Sequence, residues 1–319
     1  MTFPHEDSEF GELLRIVAAE RGVSEALAEK DYWVTHTLWA LSESKLAVWF
    51  KGGTSLSKGF GLITRFSEDL DLKIERGQVD LLPVVPSWSS KNKGPTEARR
   101  AFYEQLGNTL KVPGAPVKLV EETLARDART AEYRVLYPGL FVGRIVPPMR
   151  PFVLLEVGDA RVVPFVERPI ASWVHDTLRA RGLLAGFVDN EPKAIRCVHP
   201  LVTLLDKLDA ISGRFAKAKE APSFVRHYED AARIILAANE GQLPPLDHGP
   251  RELAREMAKA GDIRAVPTAS DPAFALAAGE RRAEVERAYV ATALMFWGER
   301  VSLGEALTLI RGWTGHELA

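Results

Sequence analysis

Two short stretches of the chain combine residue types suited to phosphate chemistry. One is Lys51-Gly52-Gly53-Thr54-Ser55-Leu56-Ser57-Lys58, the other Asp69-Leu70-Asp71-Leu72-Lys73-Ile74-Glu75. The second alternates strictly between polar and apolar, the period of a half-buried strand, so Asp69 and Asp71 fall on one face with Cα atoms about 6–7 Å apart. Two carboxylates so placed can share divalent cations. A pair of hard cations about 3.5–4 Å apart stabilises both the attacking and the leaving oxygen of an in-line phosphoryl or nucleotidyl displacement. In the first stretch, residues 46–50 read as a buried strand, Gly52-Gly53 as a tight turn, and 54–58 as the opening of a short helix. Such a turn aims backbone N–H groups at a phosphate chain. Gly52, Gly53, Thr54 and Ser55 are therefore expected to bind nucleotide phosphates, with Lys58 and Arg65 nearby to neutralise them, and Asp69 and Asp71 to bind metal. Each half of the pattern is common alone, because D-x-D occurs on exposed strand faces and Gly-Gly in many turns; their order is the specific signal. The structural alternatives are an ion pair of either aspartate with Lys73 and simple helix capping by the hydroxyls.

Phe50 to Leu72, FKGGTSLSKGFGLITRFSEDLDL, resembles the signature of the AbiEii/AbiGii toxin family, within the polymerase-beta-like nucleotidyltransferase superfamily. The interval from Gly53 to Asp69 is long for the superfamily and matches this family. The resemblance continues in Glu25 to Tyr32, which is similar to the family's EKDY-like helix, in Lys207 of HPLVTLLDKLDA and in Asp230 of RHYEDAARII, and so covers most of residues 25–240. It implies Lys207 on the nucleotide phosphates and Asp230 orienting it. It also implies a third carboxylate from a later strand. Glu156 is the candidate, since an acid within the apolar run 152–157 is costly unless paired or metal-bound; Asp159 competes with it. Further implications are two Mg2+ ions and an NTP substrate, an RNA acceptor such as the tRNA 3′ end, and a separately encoded antitoxin of a type IV toxin–antitoxin or abortive-infection system acting in phage defence. Two other outcomes stand beside this: nucleotidyl transfer to a protein hydroxyl, and a nucleotide-binding module without turnover.

The elements that position these residues follow from periodicity. Helices are expected near 10–21, 24–44 and 96–110, and strands at 46–50, 69–75, 117–124, 133–137 and 152–157. Beyond residue 168 nearly every segment reads as helix: 169–181, 199–215, 222–239, 249–260, 271–298 and 303–314. The expected class is α+β. A mixed-sheet nucleotidyltransferase domain with flanking helices spans 1–167, and a helical domain spans 168–319.

Composition narrows the remaining options. The 319 residues, 46% hydrophobic and 26% charged, suit a folded globular chain, and a net charge of -2 supplies no global field for nucleic acid. Two local basic clusters exist, Lys91, Lys93, Arg99 and Arg100, and then Arg214, Lys217, Lys219, Arg226 and His227; taken alone, each reads as a solvated helix face. The single cysteine, Cys197, precludes an internal disulfide and reads as a buried apolar group. No run is apolar enough to cross a membrane and the N-terminus is acidic, so a cytoplasmic location is expected. P-loop, G-x-G-x-x-G, H-E-x-x-H and C-x-x-C patterns are absent.

Overall fold

The computed structural model describes residues 1–319 except 66, 68, 79, 81, 125–126, 146–148 and 297, and except the side chains of 294 and 295. The chain forms two compact units. The first comprises 1–59, 68–159 and 167–197, and the second 60–67, 160–166 and 198–319.

The chain opens with α1 (Phe10–Arg21), which buries Phe10, Leu14, Val17 and Ala18 and stops at Gly22, whose φ of 65° is the left-handed conformation that ends helices. Ser24 caps α2 (Glu25–Glu43) by accepting the Leu27 N–H. Strand β1 (Ala47–Lys51) runs directly into α3 (Gly52–Thr54) and a wider π-type turn at Ser55–Gly59, and β2 (Asp69–Glu75) follows. Then come α4 (Lys93–Thr109), β3 (Val117–Val120), β4 (Thr130–Val135), β5 (Val153–Gly158), β6 (Phe165–Arg168), α5 (Trp173–Ala180) and β7 (Ile195–Val198).

These strands make a mixed seven-stranded sheet in the order β3-β4-β5-β2-β1-β7-β6. β2 lies antiparallel to β1 and parallel to β5, while β4 is antiparallel to both β3 and β5. Alternation along β2 sends Leu70, Leu72 and Ile74 fully into the core and leaves Asp69, Asp71 and Lys73 half-buried on the opposite face.

The second unit is helical: α6 (Pro200–Ala216), α7 (Arg226–Asn239), α8 (Pro250–Ala260), α9 (Pro272–Ala275), α10 (Glu280–Ala291) and α11 (Leu303–Glu317). α7 packs against both α6 and α11, burying Leu204, Leu208, Ile211, Ile234, Ile235 and Ile310. The class is α+β, as expected.

Three expectations about elements need correction. Residues 195–198 are a strand inside the segment expected to be helical, and 165–168 are a strand the sequence reading does not assign; at four residues each, they offer too little alternation to register as a period of two. The expected helix 271–298 is two helices, because Leu276 (φ 41°) and Gly279 (φ 147°) leave the helical region between them; its residue 297 lies outside the described residues. The helix expected at 169–181 begins only at Trp173, where Ser172 caps it.

Candidate active site

Strand register assembles the acidic residues of the first unit. Asp71 stands opposite Lys51 of β1 on one side and Glu156 of β5 on the other, and Glu156 stands opposite Glu132 of β4. One transverse row therefore reads Glu132, Glu156, Asp71, Lys51, with Asp69 two residues before Asp71 on the same face. Burial, and then the charges of Asp71, Asp69 and Glu132, push the Glu156 carboxyl up to about 7, and a hydrogen bond with Asp71 adds to the shift. Asp159, the competing third carboxylate, is drawn to Lys73 at 3.0 Å instead. Lys73 also meets Glu75 at 3.3 Å.

The turn after β1 is built against these acids. Gly52 has φ +76°, and a Cβ on it would lie 1.8 Å from Asp71 Oδ2, so only glycine lets the turn backbone pass over that carboxylate. Thr54 Oγ1 donates to the Asp69 carbonyl at 2.7 Å, tying the turn to β2. Ser55 is 1% exposed; its Oγ lies beside the Cys197 thiol and has no nitrogen or oxygen partner among the described residues. Burial pushes that thiol up to about 11, so Cys197 is an un-ionised, buried group, as expected.

Lys58 forms an ion pair with Asp31, whose other carboxylate oxygen accepts the Trp173 N–H at 2.8 Å. Asp31 belongs to Glu29-Lys30-Asp31-Tyr32, and all four of these side chains are buried within α2. Each anchors a different segment. Glu29 accepts the N–H groups of Leu140 (2.7 Å) and Phe141 (2.9 Å), Lys30 donates to the Arg150 carbonyl, and the Tyr32 hydroxyl meets His5 (2.7 Å) and Asn190 (3.0 Å). Through Lys30 the motif reaches the acidic face, because Arg150 Nη1 lies 3.0 Å from Asp69 Oδ1.

The second unit gathers the other expected residues. Asp230 is 0% exposed and accepts both a fork from Arg65 (Nε to Oδ1 2.7 Å, Nη2 to Oδ2 2.9 Å) and the Lys207 ammonium (2.7 Å). Burial alone would raise its carboxyl, but Arg65 and Lys207 outweigh that and hold it well below the usual carboxylate range. Arg65 and Lys207 are themselves buried, at 3% and 7% exposure. Tyr228 donates to the Ala273 carbonyl at 2.8 Å and packs, and Arg214 donates to His227 at 3.1 Å.

In the first basic cluster Lys91 and Lys93 are exposed and Arg100 half-buried, but Arg99 is not on the surface. Arg99 is fully buried, donating to the carbonyls of Asp127 and Ser87, because a charged group in an interior must be satisfied by such acceptors.

Sequence reasoning missed Glu132 and Arg150. Glu132 carried a readable signal, an acid between Ala131 and Tyr133 in an alternating strand; Arg150 carried none, since its place beside Asp69 depends on the loop that Lys30 anchors.

No curated protein matches the chain. The match to the family model begins after Glu29–Tyr32 and runs well past residue 240, taking in the turn, the acidic row, Lys207 and Asp230. That model is the nucleotidyl transferase AbiEii toxin of type IV toxin–antitoxin systems, matched over residues 37–302, and the chain belongs to this family of nucleotidyl transferase toxins.

Proposed function

We propose that the chain transfers a nucleoside monophosphate from an NTP to the 3′ hydroxyl of an RNA, with a tRNA 3′ end as acceptor, using Mg2+ held by Asp69 and Asp71 with Glu156 beside them. The observation that carries this reading is the register that lines up Glu132, Glu156 and Asp71 across three adjacent strands, with Asp69 on the same face. Like charges so close raise one another's proton affinity, and a divalent cation relieves that crowding more completely than a proton does. The donor set thus suits a hard cation, although among the described residues no three such side chains converge on a metal position as they stand. When bound, the ions supply charge neutralisation for the leaving pyrophosphate and a more acidic acceptor hydroxyl.

The chain's own groups have separable tasks. The turn at Gly52, Gly53 and Thr54 presents backbone N–H groups to the phosphates, and the buried Ser55 hydroxyl, which has no nitrogen or oxygen partner among the described residues, donates to one of them. Glu156 takes the proton of the attacking hydroxyl. The 3′ oxygen–phosphorus bond then forms as the bond from the α-phosphorus to the bridging oxygen breaks, and pyrophosphate leaves. Lys58, held by Asp31, and Arg65, held by Asp230, contribute positive potential near their own elements. Lys207 contacts the nucleotide phosphates and Asp230 fixes its direction. The proposed setting is a cytoplasmic toxin of phage defence, restrained by a separate antitoxin.

The test is transfer from each labelled NTP, with magnesium, to total RNA. Label in an RNA band, lost with Asp69→Ala, is the expected outcome; label in an RNase-resistant polypeptide would instead select protein modification, and no label at all would leave a non-catalytic module.

A further inference from the structure

The face that carries the acidic row carries a cationic one beside it. Two residues further along β4, Arg134 stands opposite Leu154 of β5, which stands opposite Asp69; on its other side Arg134 faces Lys118 of β3. Lys118 and Arg134 are both exposed, and among the described residues neither side chain has an ion-pair or hydrogen-bond partner. A directly opposed like-charge pair is destabilising in a sheet, so this edge departs from what stability favours. Phe152 precedes Leu154 by two on the same face and is half-buried, and the Arg134 guanidinium lies over its ring at 5.0 Å from the centroid. This places a cation and a planar ring together at the edge of the face, next to the buried Leu154.

We infer that Lys118, Arg134 and Phe152 form a platform for the single-stranded 3′ end of the acceptor RNA. The inference rests on the acceptor reading above. Single strands bind where basic groups follow the backbone and planar side chains stack on bases, and both an aromatic ring and an arginine plane serve as stacking surfaces. Arg134 and Asp69 are separated by two inter-strand spacings, about 10 Å, so a strand whose phosphates lie on Lys118 and Arg134 delivers its terminal hydroxyl toward the acidic row. The adjoining rows thus divide the work by sign: carboxylates where cations and the reacting oxygens sit, bases where the polymer's phosphates pass. The segregation also keeps the polyanion off the carboxylates, which would repel it.

The experiment is fluorescence anisotropy of a labelled single-stranded RNA oligonucleotide on the full chain, without NTP, across a salt series. In Lys118→Ala/Arg134→Ala the binding weakens at low salt and the slope of log K against log salt falls by about 1.4, two phosphate contacts at about 0.7 each. Phe152→Ala weakens binding about tenfold with the slope unchanged, and Phe152→Trp restores it. The thermal midpoint of the double variant stays level or rises, since a repulsive pair has been removed; a fall would mark the pair as structural and overturn the platform. Unchanged RNA affinity in all variants overturns it, as does loss of fluorescent-NTP affinity with RNA affinity intact, or equal weakening for a blunt duplex. Because binding is read without turnover, the two readings fail separately: a wild type that binds through these residues yet transfers nothing to RNA retains the platform and loses the acceptor reading.

Discussion

Gly52→Ala probes the close approach of the turn to Asp71 with a single methyl group. Two effects add. An alanine at φ +76° pays the left-handed penalty, about 1–2 kcal/mol, and its Cβ is placed 1.8 Å from Asp71 Oδ2, so either the carboxylate or the turn must move by more than 1 Å to reach ordinary contact. A displacement of that size at a reacting centre costs on the order of 100-fold in rate. Gly22→Ala is the internal comparison: φ is +65° there too, but a Cβ meets nothing within 4 Å. Both variants should lose about 2–8 °C in thermal midpoint from the backbone term alone, at about 2–4 °C per kcal/mol. Only Gly52→Ala should lose nucleotidyl transfer, by about 100-fold or more, assayed as labelled NMP incorporated per minute. If Gly52→Ala transfers at the rate of Gly22→Ala, the placement of Asp71 under the turn does not matter to the reaction.

Other perturbations separate the remaining roles. Arg150 competes with a cation for Asp69 through a partly exposed ion pair, a contact worth up to about 1 kcal/mol, so Arg150→Ala should tighten Mn2+ binding by up to about fivefold by calorimetry; weaker binding would show that Arg150 instead holds Asp69 in place. Asp230→Asn leaves Arg65 and Lys207 buried without their carboxylate and should cost about 3–5 kcal/mol in denaturant unfolding. Because the folded carboxyl is depressed, its contribution is present above about pH 4, the unfolded value, and is lost as pH falls below it; the variant should lack that acid-side loss. Glu156 is shifted the other way. Without metal, its contribution should decline as pH rises from about 4.3, the unfolded value, through about 7, so Glu156→Gln should melt higher than wild type at pH 8 while transferring no nucleotide; equal melting at pH 8 would remove the charge crowding from the account.

Elements whose pattern is local were readable in the chain. The strict alternation of Asp69 to Glu75, the Ser24 cap and the Gly22 stop each declare a structure within a few residues, and the folded chain has them where that pattern puts them. Glu156 was readable because an acid in an apolar strand needs a reason. The state of the cations was not readable. Whether Lys58, Arg65 or Arg99 faces a ligand depends on Asp31, Asp230 and the Asp127 carbonyl, 27, 165 and 28 residues away in sequence, and the structure pairs or buries all three. The second row of the sheet face was hidden for the same reason, since opposing Lys118 to Arg134 and Arg134 to Leu154 requires the register of three strands. Strands β6 and β7 were too short to show a period.

The central claim is nucleotidyl transfer to RNA at the acidic row. The most direct measurement is incubation of the purified chain and of Asp69→Ala with total RNA, magnesium and each α-labelled NTP in turn, resolved on a denaturing gel. A labelled tRNA-sized band with wild type alone is the predicted result, and it also names the nucleotide. Equal labelling by Asp69→Ala, or label confined to polypeptide, would contradict the account.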